Sequence, residues 1–271
     1  MGNIRIIGER GVGKTTYLAA LAYWPDKKRT GKKVKNIKLQ ALNDETRELA
    51  EKAENIILGG ASLAPTQVAG GIDDLPLYSF GLKVKPWLQP AELINIAVRD
   101  YPGEIFEALA ETKLNPIQQE FIDECLVKDV DGCFILLSDL DEGIDKRTSK
   151  ALERFIDLMN RNDRTNDLRL AIAVSKCERG ELWSGRLDPA TDLFKRYWRQ
   201  TKAVLDDSDI PAKNIRLYAI STFGVLSPTD PRPNRVDQGR NSVLRDPEKW
   251  RPYKLLDPLY WLSKGKGMGY V

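Results

Sequence analysis

Gly8-Glu9-Arg10-Gly11-Val12-Gly13-Lys14-Thr15 has the spacing G-x-x-x-x-G-K-[ST]. Glycines placed this way let consecutive backbone N–H groups curl around a chain of phosphates. Lys14 would reach the terminal phosphates as a point charge, and the Thr15 hydroxyl would ligate Mg²⁺. A helix opening here, with Thr16 in its first turn, adds free N–H groups and the positive end of its dipole. Farther along, Arg99-Asp100-Tyr101-Pro102-Gly103-Glu104 ends an apolar stretch in D-x-x-G. Asp100 can hold Mg²⁺ through water there, and Gly103 lets a backbone N–H approach a γ-phosphate. The plainer reading of the same residues is a strand that ends in a Pro-Gly turn.

The chemistry open to this chain is narrowed by what it lacks. Its 271 residues contain no histidine. That removes Ser-His-Asp and Cys-His hydrolase mechanisms, His-based zinc sites and imidazole acid–base catalysis. Three cysteines, Cys125, Cys133 and Cys177, form no C-x-x-C pair, which speaks against a disulfide framework or a structural zinc and for a reducing cytoplasm. Carboxylates, lysine, arginine, hydroxyls, backbone amides and a hard metal ion remain. A net charge of +3, from 42 basic and 39 acidic residues, does not by itself imply nucleic acid. No apolar run nears the ~20 residues that span a bilayer, and the N-terminus has no signal-peptide pattern.

Positioning these groups requires strands that end where the chemistry begins. Short apolar stretches alternate with longer helical patterns, as in a sheet built from βαβ units. Strands are expected at Ile4–Ile7, Val34–Leu42, Leu77–Val84, Leu93–Val98, Cys133–Leu137, Leu168–Val174 and Ile215–Ile220, the last of the series. Helices are expected at Lys14–Tyr23, at Asn43–Leu58 with Gly59-Gly60 past its end, around Ile105–Ala110, Ile117–Val127 and Lys146–Met159, and at Leu255–Leu262. Leu193, Phe194, Tyr197, Trp198, Val204 and Leu205 lie at helical spacing, and the Phe194, Tyr197, Trp198 group reads as core rather than as a partner-binding stripe. Residues 59–74 read as loop and the Pro-rich 225–252 as irregular. The expected fold is α/β, a doubly wound and mainly parallel sheet. Residues 1–224 would form one domain with an insertion at about 25–60, and 225–271 would pack on it.

On the Gly8–Thr15 and Asp100–Gly103 motifs, the chain resembles the P-loop GTPases of the Ras-like and translation-factor type. The resemblance spans residues 8–223 in the family's order, and among variants it is similar to bacterial double-GTPase-like domains of signalling or defence loci. It implies a G-domain that binds GTP or GDP with Mg²⁺. It makes Thr66 the Mg²⁺-binding threonine of the first switch loop, though an ordinary loop threonine fits the same residues. Ser175-Lys176-Cys177-Glu178 takes the place of the base-recognition motif N/T-K-x-D, with Lys176 stacking on guanine and Glu178 accepting from its N1 and N2 groups. S-x-x-E is also a capping box. Ser221 and Thr222 correspond to the last recognition loop, or form a plain N-cap.

Two departures from the family bear on mechanism. Glu104 stands where many members place a water-orienting glutamine, and its charge would oppose the γ-phosphate, so slow intrinsic hydrolysis is expected. Arg10 replaces a glycine and would act as a finger in cis, block one offered in trans, or simply point to solvent or pair with an acid. Three functions follow from the resemblance: a GTP-hydrolysing switch, a hydrolytically idle nucleotide-binding module, or an ATPase carrying SKCE. The implied partners are an effector or regulator protein and a nucleotide-dependent homodimer. Seven cations between Lys27 and Lys38 form either a solvated loop or a contact for an acidic surface. Asp139 and Asp141 read as a strand-end turn.

Overall fold

The computed structural model describes residues 2–23, 37–61, 71–85, 91–111, 113–138, 142–238 and 241–268. Thr66, Asp139 and Asp141 lie outside these residues, as does the basic stretch up to residue 36.

Six apolar segments become parallel or antiparallel neighbours in one seven-stranded sheet, together with the shorter Ile37–Ala41. The strands are β1 (Gly2–Ile7), β2 (Ile37–Ala41), β3 (Leu77–Val84), β4 (Glu92–Asp100), β5 (Gly132–Leu137), β6 (Arg169–Val174) and β7 (Ile215–Ala219). Their order is β2-β3-β4-β1-β5-β6-β7. β4, β1, β5, β6 and β7 run parallel, while β3 pairs antiparallel with both β2 and β4. The chain is therefore α/β with a mainly parallel sheet.

Helices cover both faces, and strand alternation divides the core between them. Phe134 and Leu136 of β5 face one cluster with α1 (Lys14–Tyr23) and α2 (Asp44–Gly59). Cys133, Ile135 and Leu137 face another with α3 (Gly103–Leu109), α4 (Pro116–Leu126) and α5 (Glu142–Arg161). Local chemistry sets the ends of these helices. The Asn43 side chain accepts the Thr46 N–H and Gly60 closes α2 in the left-handed conformation at φ 68°. Asn115 and Gln118 form a reciprocal capping box ahead of α4.

Three places differ from the expected elements. Residues 193–205 do not form one helix: a π-helical turn at Pro189–Phe194 runs into the single turn α6 (Lys195–Tyr197), the chain breaks at Trp198, and α7 (Arg199–Asp206) follows. Asp145 explains the restart, since its carboxylate accepts the Gln200 and Thr201 N–H groups that open α7. Phe194 and Trp198 are in the core as expected. Within 59–74 a 3₁₀ turn occupies Ile72–Asp74. Finally, β7 is not the last strand. The Pro-rich segment contains an antiparallel hairpin of β8 (Arg235–Gln238) and β9 (Asn241–Leu244). α8 (Asp257–Lys264) then buries Leu259, Tyr260, Trp261 and Leu262 against the α1 face, in contact with β1, β5 and β6.

Candidate nucleotide site

Five parallel strands deliver their carboxyl ends to the same edge. Ile6 is level with Asp100, Ile7 with Ile135, Leu137 with Val174, and Val174 with Ala219. The segments that follow, from Gly8, Asp100, Ser175 and Ser221, thus emerge side by side. The chain crosses from β4 to β5 on the far side of β1, so the sheet order reverses at the Gly8 loop, where α/β proteins place ligands.

The Gly8–Thr15 loop turns through positive φ at Gly11 (74°) and Gly13 (96°), which L side chains rarely adopt, before α1 begins at Lys14. Lys14 folds back over it, Nζ donating to the carbonyls of Gly8 at 2.7 Å and Glu9 at 3.0 Å. Burial pushes the Lys14 ammonium below its ordinary value, while Asp100, Glu107, Glu104 and Glu9 pull it back up. The lysine is thus a partly desolvated cation, held in place by two loop carbonyls that an anion could replace.

Beside it, the Thr15 hydroxyl lies 3.3 Å from Asp100 Oδ2. Asp100 is buried, and its Oδ1 has no hydrogen-bond partner among the described residues. Burial raises its carboxyl from 3.8 to about 6, against the opposing pull of Lys14 and the Thr15 hydrogen bond. A buried carboxylate with a spare oxygen next to a hydroxyl is a hard-oxygen donor set that fits Mg²⁺. Among the described residues, no three His, Cys, Asp or Glu groups converge into a metal cage. A cation here would have to share Thr15 and Asp100 with ligand or water oxygens.

The start of α3 packs directly on the Gly8–Thr15 loop. A Cβ on Gly103 would sit 2.5 Å from the Arg10 backbone nitrogen. Arg10 turns towards α3, pairing with Glu104, and its guanidinium Nε is 3.9 Å from Glu107. Glu107 also accepts the Arg10 backbone N–H at 2.8 Å. Sequence reading missed Glu107: it lies 97 residues from Arg10 and belongs to no motif.

On the other side, Ser175 and Lys176 bind the loop itself. The Ser175 hydroxyl donates to the Val12 carbonyl and Lys176 Nζ to the Gly11 carbonyl, both at 2.7 Å. Lys176 sits at φ 54°, a left-handed position that lays its stem beside Gly13. Glu178 is buried, with Oε1 accepting from Arg235 at 3.1 Å and Oε2 unpartnered among the described residues. Ser175 and Glu178 therefore engage separate partners rather than closing a capping box. Ser221 is fully buried, and its hydroxyl accepts the Gly224 N–H at 2.7 Å. A cleft runs past Gly11, Gly13, Thr16, Lys176, Glu178 and Thr222, and is walled on its outer side by Phe223 and by Arg235, Asp237 and Ser242 of the hairpin. That wall was not foreseen, because the segment lacks the long alternation that marks a strand.

Scanned against protein families and against curated proteins, the sequence matches none. Among solved structures it is similar to the G domain of the T. maritima FeoB iron transporter, at 11% identity over 82% of this chain and 88% of that one, with a TM-score of 0.35. A likeness this distant says nothing of what the chain binds. Among the described residues, no helix is long and apolar enough to cross a membrane.

Proposed function

We propose that the chain is a G-domain-like nucleotide switch that binds GTP with Mg²⁺ and hydrolyses it slowly. The observation carrying this is a pair of buried carboxylate oxygens without partners among the described residues, Asp100 Oδ1 and Glu178 Oε2, flanking one phosphate-type loop. Asp100 ends β4 and Glu178 follows β6, with β1 and β5 between them. At ~4.8 Å per strand, that separates a metal end from a base end by ~14 Å of sheet edge. A buried unpaired polar oxygen is costly, so each is poised to take a ligand.

In this reading the amides from Arg10 to Thr15 and the Lys14 ammonium bind the β- and γ-phosphates. Thr15 and Asp100 would hold Mg²⁺, and Thr66 is the further ligand that the resemblance to P-loop GTPases assigns to it. When bound, Mg²⁺ neutralises charge that develops on the phosphates. Glu178 accepts from the guanine N1 and N2 groups, and the Lys176 stem lies along the ring. Arrival of a γ-phosphate at the Gly103 N–H competes with the Arg10–Glu104 and Arg10–Glu107 contacts, which couples nucleotide state to α3 and to any partner reading it.

The Arg10–Glu104 pair favours slow turnover, because it turns Arg10 towards α3 and away from the charge that develops on the phosphates. Multiple-turnover phosphate release with GTP and ATP, on the parent and on Arg10→Gly, tests the reading. Expected is slow, Mg²⁺-dependent release from GTP over ATP, altered in rate by the substitution. Equal release from ATP would assign an ATPase, and release from neither nucleotide would leave a binding module.

A further inference from the structure

Arg235 opens β8, on the hairpin that follows the sheet, and its side chain is almost wholly buried in the wall of the nucleotide cleft. Each edge of its guanidinium is committed. Nη1 donates to Glu178 Oε1 at 3.1 Å. Nε and Nη2 donate to Asp237 Oδ1 at 3.0 and 2.6 Å, and Nη2 also donates to the Ser242 hydroxyl. The Phe223 ring lies beneath it, 5.5 Å from ring centre to guanidinium carbon. A planar fork held on three sides cannot swing, so the oxygen it takes from Glu178 is fixed.

The consequence falls on the other oxygen. Glu178 Oε2 is buried in the cleft wall and unpartnered among the described residues, and glutamate, one methylene longer than the aspartate of the resembling motif, has an extra torsion to lose. Arg235 removes that freedom. The hairpin is anchored in turn: Asn241 Nδ2 donates to the Gly60 carbonyl at the end of α2, and Asp237 Oδ2 accepts from Arg179 at 3.0 Å.

We propose that Arg235 is a positioning residue for base specificity: it holds Glu178 by Oε1 and turns Oε2 towards the donor edge of a guanine nucleotide. This rests on the reading of Glu178 as the guanine-binding carboxylate. Guanine offers two adjacent donors, N1–H and the exocyclic N2–H, to such an oxygen. Adenine turns the N1 lone pair to it instead, and hypoxanthine keeps N1–H but lacks the second donor.

The test is the affinity of the full chain for GDP, IDP and ADP with Mg²⁺, measured by calorimetry on the parent, Arg235→Met and Arg235→Lys. The parent is expected to prefer GDP to IDP by ~10-fold or more, as for a hydrogen bond to a charged group, and to prefer GDP to ADP more strongly. Arg235→Met should bring the GDP:IDP ratio close to one, and Arg235→Lys should restore part of it. A merely structural role would lower all three affinities together and leave the ratio unchanged, which would overturn the proposal while sparing the guanine reading. A parent without preference between GDP and ADP would overturn both. Should the Arg235 variants not fold, Asp237→Ala, which removes the Oδ1 acceptor, carries the test. Its half-exposed side chain steadies Arg235 from outside, and the substitution should lower the GDP:IDP ratio several-fold; an unchanged ratio overturns the proposal.

Discussion

Asp100 is buried, rests one carboxylate oxygen near Thr15 and leaves the other without a partner among the described residues. Burial is the first cause of its raised value, about 6 against 3.8 in water. Between those two pH values the folded chain keeps a proton that the unfolded chain has released. In metal-free, nucleotide-free protein the Asp100 contribution to stability is therefore fully present below about pH 4 and lost as pH rises through about 6. The urea midpoint, followed across that window, should carry a falling component that Asp100→Asn abolishes. Identical profiles for parent and variant would show that Asp100 does not titrate there. Mg²⁺ and nucleotide should reverse the slope, because they favour the ionised form. At this scale the sequence was legible wherever chemistry is contiguous: Gly8 to Thr15 form a complete phosphate-binding pattern, and Asp100 marks a strand end. Glu107 and Arg235 were not legible, because their partners lie 97 and 57 residues away and only folding brings them together.

α3 has its first residue pressed onto the Gly8–Thr15 loop. Adding a methyl at Gly103 would place it 2.5 Å from the Arg10 nitrogen and 2.7 Å from its Cα, both backbone atoms with little room to give. Gly103→Ala should therefore push the start of α3 off the loop at a cost of about 1–3 kcal/mol. Since the other loop contacts stay intact, the variant should keep GDP affinity within a few-fold and lose at least ~10-fold for a non-hydrolysable GTP analogue. Equal losses for both nucleotides would show that Gly103 does not sense the γ-phosphate. Elements with strong local signals were read correctly, among them α2 between Asn43 and Gly60, and β5 as an apolar strand buried on both faces. The expected helix over 193–205 was broken by a tertiary contact, the Asp145 carboxylate at the Gln200 and Thr201 amides. Helical periodicity carries no trace of that contact.

Across the molecule, the order β2-β3-β4-β1-β5-β6-β7 brings loops from positions 8, 100, 175 and 221 to one edge. The residues beyond β7 complete the cleft from outside with β8 and β9 and cover the sheet with α8. The mainly parallel α/β sheet could be anticipated from alternating apolar and helical segments. The hairpin wall could not, since two four-residue strands give too few alternations to distinguish them from Pro-rich loop. All of this architecture converges on the loop under Lys14, whose side chain is buried there with its ammonium on the Gly8 and Glu9 carbonyls. The most direct measurement is the affinity of Mg²⁺-GDP, Mg²⁺-GTP and Mg²⁺-ATP for the parent and for Lys14→Ala, with the circular-dichroism spectrum of each recorded alongside. The parent should bind guanine nucleotides, and the variant, still folded, should bind them ~10- to 100-fold more weakly, as expected when a charged hydrogen bond is lost. A folded Lys14→Ala that binds all three as tightly as the parent would contradict a phosphate-gripping loop at Gly8–Thr15.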